Sequence, residues 1–167
     1  MLIILTGPPG AGKSTVGDKL AYMFSRSVNF SLDDLRSFVK AGNVPPWEDT
    51  EEEAQSVLAT SIAIDMVKRY EAKDFVVILD DVIDDEQVGM YTQQFSDVHA
   101  FLLLPRLEVI QRRDQGRTSE KQMGERVEVL YNELVNKEYK IIQIIDSSDQ
   151  APEETAKLIY SKVVKEN

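Results

Sequence analysis

The stretch that most constrains this chain is TGPPGAGKST, which runs from Thr6 to Thr15. Three of the eight glycines in the sequence fall within six residues here, next to two prolines. Glycine loses more backbone entropy on folding than any other residue, and paired prolines continue neither a helix nor a central strand. Because a segment of this composition is costly to order, we expect a ligand to lie against it.

The stretch fits the pattern G-x-x-x-x-G-K-[ST] at every fixed position. The apolar run MLIILT before it predicts a buried strand, and STVGDKLAYMF after it predicts a helix. In that context backbone N–H groups and the positive end of the helix dipole converge on phosphate oxygens. Lys13 would then contact the β- and γ-phosphates of a nucleotide, and Ser14 would be a ligand of Mg²⁺. The alternative is a tight turn in a fold that binds no nucleotide.

The predicted phosphate-binding residues are continuous in sequence: Gly7, Pro8, Pro9, Gly10, Ala11, Gly12, Lys13, Ser14 and Thr15.

Apolar runs alternate with helical patterns along the rest of the chain. The order β-α-β-α-α-β-α-β-α-α-β-α predicts an α/β fold with a five-stranded parallel sheet and helices on both faces. We expect one domain over residues 1–167, with an arginine-rich lid at about 112–122, and a last strand at IIQII, residues 141–145. Apolar residues at steps of four predict the buried stripe of the helix before the third strand: Ala54, Leu58, Ile62, Met66 and Tyr70.

Composition narrows the choice of partners. Nineteen basic and twenty-nine acidic residues give a net charge of -10, which repels nucleic acid unless a local basic patch overrides it. The absence of cysteine excludes a disulfide framework, a thiolate nucleophile and a cysteine metal site. No apolar run approaches the roughly 18 residues of a membrane span. We expect a cytoplasmic protein that acts on a small molecule, and the oligomeric state stays open.

The stretch FSLDDLR places Asp33 just past the second predicted strand. Ligands of doubly wound sheets bind at the carboxyl ends of the strands, so a carboxylate here can approach a γ-phosphate from the acceptor side. An aspartate can both orient an acceptor hydroxyl and take its proton. The alternative is that Asp33 or Asp34 only caps the following helix.

With these two motifs the chain resembles the small P-loop kinases of the polynucleotide kinase, gluconate kinase and chloramphenicol phosphotransferase type. The resemblance is most specific to the kinase half of bacteriophage-type polynucleotide kinases, in which D-D-x-R also follows the strand after the phosphate loop. It implies that Asp33 is the general base and that Arg36 binds the acceptor.

The resemblance also implies that the segment RRDQGR belongs to a lid. By that alignment Arg112 and Arg117 contact the transferred phosphoryl group, whereas Arg113 could face solvent. Arginines that arrive on a mobile lid would stabilise developing charge and expel water. Alternatively, these arginines lie on an exposed helix face and pair with Glu108 and Asp114.

Asp80 and Asp81 follow the buried run FVVIL, at the position where an acidic residue would hold Mg²⁺ directly or through water. Related small kinases often use this loop for the acceptor instead, and a solvated acidic turn is equally compatible with the sequence. Residues 146–151 match the loop with which related kinases enclose adenine. Trp47 could line an acceptor pocket or plug a loop.

The combined expectation is an ATP-dependent kinase that uses Mg²⁺ and phosphorylates a hydroxyl of a nucleoside, a sugar acid or an antibiotic-like metabolite. ATP is favoured over GTP because NKEY, residues 136–139, lacks the aspartate of a guanine-binding N-K-x-D motif. A polynucleotide 5′-hydroxyl kinase, a regulatory or toxin-like module that acts through a protein partner, and a nucleotide-gated switch are the alternatives.

Overall fold

The structure, a computed structural model, describes residues 1–42, 44, 49–116, 118 and 122–165. The strands are β1 (Leu2–Thr6), β2 (Ser27–Ser31), β3 (Val76–Asp80), β4 (Val98–Leu103) and β5 (Gln143–Ile145). The helices are α1 (Lys13–Ala21), α2 (Leu32–Ser37), α3 (Asp49–Glu71), α4 (Asp85–Thr92), α5 (Leu107–Gln115), α6 (Arg126–Val135) and α7 (Pro152–Lys165). Their order along the chain is the predicted one.

The five strands form one parallel sheet in the order β2-β3-β1-β4-β5. Strand β1 lies at its centre, between β3 and β4, and all five of its residues are buried. Four consecutive apolar residues, Leu2 to Leu5, fit this position, because helices cover both faces of a parallel sheet. The predicted α/β class and five-stranded parallel sheet are confirmed.

The alternation of side chains along β1 divides the core into two halves. Leu2 and Ile4 point into a cluster that includes residues of α2, α3, α4 and α6, whereas Ile3 and Leu5 point into a cluster with α1 and α7. Successive side chains of a strand point to opposite faces, so four consecutive apolar residues serve both layers. Each such burial contributes roughly 1.5–3 kcal/mol.

The predicted stripe of α3 is wrong at two of its positions. Leu58 and Ile62 are 53% and 41% exposed, whereas Ala59, Ala63 and Val67 are at most 4% exposed and pack in the core. Both sets recur at steps of four, so the sequence period did not distinguish them. The small alanines allow α3 to approach the sheet. Although α3 has 23 residues, no helix in the described parts of the chain is both long and apolar enough to cross a membrane.

Strand β5 is shorter than predicted, because it forms only from the last three residues of the run IIQII. The backbone N–H groups just before it donate to the Asp85 carboxylate instead, at 2.5 Å from Lys140, 3.3 Å from Ile141 and 3.2 Å from Ile142. This part of the acidic turn after β3 therefore has a structural role: it holds the entry to the edge strand.

Asp84, the neighbouring residue, begins α4 with a capping box. Its carboxylate accepts the N–H groups of Glu86 and Gln87 at 3.1 and 3.2 Å, and Lys137 donates to it at 3.1 Å. In return, the Gln87 side chain accepts the Asp84 N–H at 3.1 Å. Asp84 and Asp85 are thus both engaged in the scaffold.

We predict that Asp84→Ala lowers the free energy of unfolding by about 1 kcal/mol at pH 7, the usual effect of losing an N-cap. Partial burial opposes ionisation of Asp84, but the hydrogen bonds from Lys137, Gln87 and Glu86 outweigh it and hold its pKa below the usual value. Such a carboxylate stabilises the fold above its unfolded pKa of about 3.9, and that contribution is lost as pH falls through the lower, folded pKa.

Urea denaturation of wild type and variant between pH 7 and pH 3 measures this effect. The difference in unfolding free energy between wild type and Asp84→Ala should shrink at the acidic end. Asp84→Asn keeps a capping oxygen and should lose less stability at pH 7 than Asp84→Ala. A difference that stays constant with pH would contradict the assignment.

Candidate active site

The loop between β1 and α1 depends on glycine for both space and conformation. At Gly7, where φ is 146°, an added Cβ would lie 2.4 Å from the carbonyl oxygen of Leu103 in β4. At Gly12, where φ is 98°, the nearest atom to an added Cβ is Nη1 of Arg113 at 3.8 Å, so the constraint there is conformational. These requirements direct the chain away from the sheet and into α1.

The start of α1 is open to an anion. Gly12 occupies the N-cap position and has no side chain with which to cap the first N–H groups of the helix. Uncapped N–H groups together with the helix dipole bind phosphate. The Nζ of Lys13 donates to the Gly7 carbonyl oxygen at 2.9 Å, which holds the lysine side chain back over the loop.

A cavity of about 1310 Å³ opens in front of this loop. Sites for one small ligand usually measure about 300–1,000 Å³, so this cavity has room for two. Residues 9–16 of the loop and helix form one wall, with Gly7 and Pro8 outside the lining. The other predicted site residues that line the cavity are Asp33, Arg36, Asp80 and Asp81.

Asp80 ends β3 and is 4% exposed. Burial raises the pKa of Asp80 above its usual value, although the charge of Lys13 and a hydrogen bond from Ser14 act in the opposite direction. A buried carboxylate beside a serine hydroxyl is a donor set that fits Mg²⁺, which takes one or two protein ligands and completes its shell with phosphate and water. Among the described residues there is no cluster of three His, Cys, Asp or Glu that could hold a metal by itself.

Asp81 has a different role from its neighbour. Its carboxylate is 5% exposed and accepts both guanidinium ends of Arg36, with Nη1 at 3.0 Å and Nη2 at 3.1 Å. The same Nη1 also donates to Asp33 at 2.9 Å. Burial opposes the charge of Arg36, but the hydrogen bonds and charges of Asp81 and Asp33 raise its pKa above the usual value. The buried pair excludes a solvated acidic turn at Asp81.

Neither aspartate of the FSLDDLR motif caps α2. The cap is Ser31, whose hydroxyl accepts the N–H of Asp33 at 3.0 Å. Asp33 and Asp34 lie in the first turn with exposed side chains that line the cavity, and the Asp33 side chain is 76% exposed. The alternative in which either residue serves only as a cap is therefore wrong.

Helix α5 presents Arg113 to the phosphate loop. Its Nη1 donates to the Ala11 carbonyl oxygen at 3.2 Å, and its Nη2 to the Ser147 carbonyl oxygen at 3.5 Å. The expectation that Arg113 faces solvent is wrong, because Arg113 lines the cavity. Arg112 is exposed and is not part of the lining, since one residue along a helix rotates the side chain by about 100°. Arg117 lies outside the described residues, as does Trp47.

The acidic residues proposed to pair with the lid arginines have other contacts. Glu108 accepts from Arg106 at 3.0 Å. Asp114 is 3% exposed and accepts the backbone N–H groups of Met123 and Gly124 at 3.0 Å. Asp114 thus ties the start of α6 to the end of α5, at the base of the predicted lid.

Two further parts of the lining complete the cavity. Arg126 at the start of α6 was missed by the sequence reasoning, since nothing in MGERV distinguishes it from a surface arginine. Of the segment 146–151, Ser147 and Gln150 line the cavity. A bidentate pair between Arg106 and Asp149, at 2.9 and 2.7 Å, holds that segment in place.

The sequence matches the family model described as an AAA domain over residues 3–133. A search of curated proteins finds no match.

Solved structures are similar over nearly the whole chain. The tunicamycin resistance protein of Deinococcus radiodurans is 21% identical, with 97% of this chain and 94% of that chain covered and a TM-score of 0.68. A sugar kinase from a Janibacter species is 17% identical, with 96% and 92% covered and a TM-score of 0.71. The shikimate kinase of Acinetobacter baumannii, in complex with shikimate, is 20% identical, with 99% and 94% covered and a TM-score of 0.60.

At these identities the likeness shows the fold. It confirms the predicted P-loop NTPase fold and the resemblance to small P-loop kinases in architecture.

We predict that Gly7→Ala and Gly12→Ala differ sharply in stability. Gly7→Ala should lower the free energy of unfolding by more than about 3 kcal/mol, because its Cβ meets a backbone oxygen that cannot move away. Gly12→Ala should lower it by only about 1–2 kcal/mol, the strain of a positive φ without a steric clash. Urea denaturation of both variants provides the comparison, and equal losses would contradict this account of the loop.

Proposed function

The chain belongs to the AAA domain family, and from that premise we propose that it is an ATP-dependent kinase that phosphorylates a hydroxyl of a small molecule. The observation that carries the proposal is one cavity that joins an uncapped phosphate loop to an exposed aspartate, Asp33. The room for two ligands in that cavity supports a reaction between a nucleotide and an acceptor. The similarity to proteins named as a sugar kinase and a shikimate kinase agrees with a small acceptor.

The nucleotide occupies the loop end. Backbone N–H groups of residue 10 and residues 12–15, together with the Lys13 ammonium group, bind the β- and γ-phosphates. Ser14 and Asp80 would hold Mg²⁺, which when bound offsets the negative charge of these phosphates. The base lies toward Ser147 and Gln150, and the absence of an N-K-x-D motif favours adenine.

The acceptor occupies the end lined by α2. The Asp33 carboxylate takes the proton of the acceptor hydroxyl as its oxygen attacks the γ-phosphorus. The bond between the γ-phosphorus and the β,γ-bridging oxygen breaks, and ADP leaves with the electron pair. Arg36 holds Asp33 through Nη1 and is itself held by Asp81, so Asp81 is a positioning residue. Arg113 beside Ala11 stabilises the charge on the transferred group.

We expect Asp33→Asn to lower kcat for acceptor-dependent ADP release by roughly 10²-fold or more, because the amide cannot accept the proton. ATP affinity should stay within about twofold, since Asp33 does not contact the nucleotide in this proposal. The measurement is ADP release from Mg·ATP with a panel of nucleosides, sugars, sugar acids and aminoglycoside- or chloramphenicol-like antibiotics, together with calorimetric titration of ATP.

Asp65→Asn, which removes an exposed carboxylate of α3 that is not part of the cavity lining, is the matched control. Wild-type turnover in Asp33→Asn would remove Asp33 as the base. Tight ATP binding with ADP release that no acceptor stimulates, and that a protein partner does stimulate, would favour the regulatory module instead.

We further expect Arg113→Gln to reduce kcat at least tenfold more than Arg112→Gln, although both changes remove one positive charge from α5. The reason is that Arg113 contacts the loop through Ala11, whereas Arg112 is exposed outside the cavity lining. Steady-state kinetics at saturating ATP compare the pair. If Arg112→Gln lost as much activity, the lid would have to present Arg112 to the phosphates during turnover.

A further inference from the structure

We propose that the acceptor is an alcohol without an acidic group, either neutral or bearing a protonated amine, and that the site rejects carboxylate- and phosphate-bearing alcohols. This inference rests on the proposed function and names its substrate class. It rests on which charged side chains at the acceptor end of the cavity are already paired within the protein.

Acceptor-only groups dominate this end of the cavity. The lining there contributes the carboxylates of Asp33, Asp34 and Asp81 and the guanidinium group of Arg36. The Ser37 hydroxyl donates to the Asp34 carbonyl oxygen, whereas the Ser31 hydroxyl accepts the Asp33 N–H and keeps one O–H that can donate to a ligand. Ionised carboxylates only accept hydrogen bonds, so they select ligands rich in O–H and N–H donors.

The positive charge of Arg36 is already neutralised within the protein by two carboxylates. Its Nη1 and Nη2 both bind Asp81, and Nη1 also binds Asp33. Asp81 is 5% exposed, so drawing Arg36 toward an acidic ligand would leave a buried carboxylate without its partner. An incoming acid therefore finds no free arginine at this end among the described residues.

The carboxylates that face the cavity also repel acids directly. Within the described parts of the chain, the Asp34 side chain has no hydrogen-bond or ion-pair partner, and the Asp33 side chain is 76% exposed. Among the described residues, Asp33 and Asp34 place two exposed negative charges beside the neutralised pair of Arg36 and Asp81, and these repel an anionic acceptor and attract an ammonium group.

The remaining cations of the described lining are Lys13, Arg113 and Arg126. Lys13 and Arg113 contact carbonyl oxygens of the phosphate loop, at Gly7 and Ala11, where the nucleotide needs them. Arg126 at the start of α6 is the one cation of the described lining outside both groups. If an acid were accepted, Arg126 would have to bind it, and Arg126→Gln tests that route.

The first test uses acceptors that share a skeleton and differ in one group: gluconate against gluconamide, glucuronate against glucuronamide and glucose, and glucose against glucosamine. ADP release from Mg·ATP gives kcat/KM for each compound. We expect the amide or amine to exceed the matched acid at least tenfold. An acid that matches or exceeds its partner, with a loss on Arg126→Gln, would overturn the proposal and leave the kinase assignment intact.

The second test needs no turnover. Nitroxide probes that carry an amino, a hydroxyl or a carboxyl group are added to the protein saturated with a non-hydrolysable Mg·ATP analogue, and relaxation of backbone amide protons is measured. For the amides of residues 31–37, the ratio of the relaxation rate with the amino probe to the rate with the carboxyl probe should exceed the average of this ratio over the chain. Asp34→Asn should reduce that ratio, whereas Asp65→Asn should not.

The two measurements distinguish failure of the proposed acceptor class from failure of the proposed kinase function. A carboxyl probe that relaxes residues 31–37 at least as strongly as the amino probe overturns the proposed acceptor class, whatever the kinetics show. A clear amino preference supports it. If no acceptor stimulates ADP release despite that preference, the failure lies with the kinase function and not with the charge of this end.

Discussion

The approach of Gly7 to the Leu103 carbonyl oxygen sets the position of everything that follows in the site. Strands β1 and β4 are neighbours at the centre of the sheet, and the chain leaves β1 so close to β4 that no side chain fits between them. From that point the loop turns toward the cavity and α1 begins at Lys13 with its N–H groups uncapped. The phosphate-binding geometry is therefore a consequence of sheet packing.

A division of charge makes the cavity suitable for two different ligands. The chain carries a net charge of -10, yet its loop end offers N–H groups, Lys13 and Arg113, a local field that opposes the global one. At the other end the carboxylates outnumber the one described arginine, which they neutralise. Asp80 is buried near Lys13 and Ser14, where its carboxylate and the serine hydroxyl would hold a bound cation.

The order of elements and the phosphate loop could be predicted because their signals are local and continuous. The assignments that failed depended on which way a side chain turns. Leu58 is exposed while its neighbour Ala59 is buried, and Arg112 is exposed while its neighbour Arg113 lines the cavity. Adjacent residues share the same helical period, so the sequence pattern did not distinguish them. The role of Asp81 was also beyond prediction, because its partner Arg36 lies 45 residues earlier in the chain.

By itself the sequence determined that the chain would form a parallel sheet with a phosphate loop at the carboxyl end of its first strand. Few other structures are compatible with an apolar strand followed by glycines and a lysine at this spacing. These signals depend mainly on residues that are close in sequence. Only the tertiary structure decided that Asp80 lies beside Ser14 while Asp81 binds Arg36. Where a strand ends, the side chains of consecutive residues point in different directions. Their partners come from different helices, which come together only when those helices pack on the sheet.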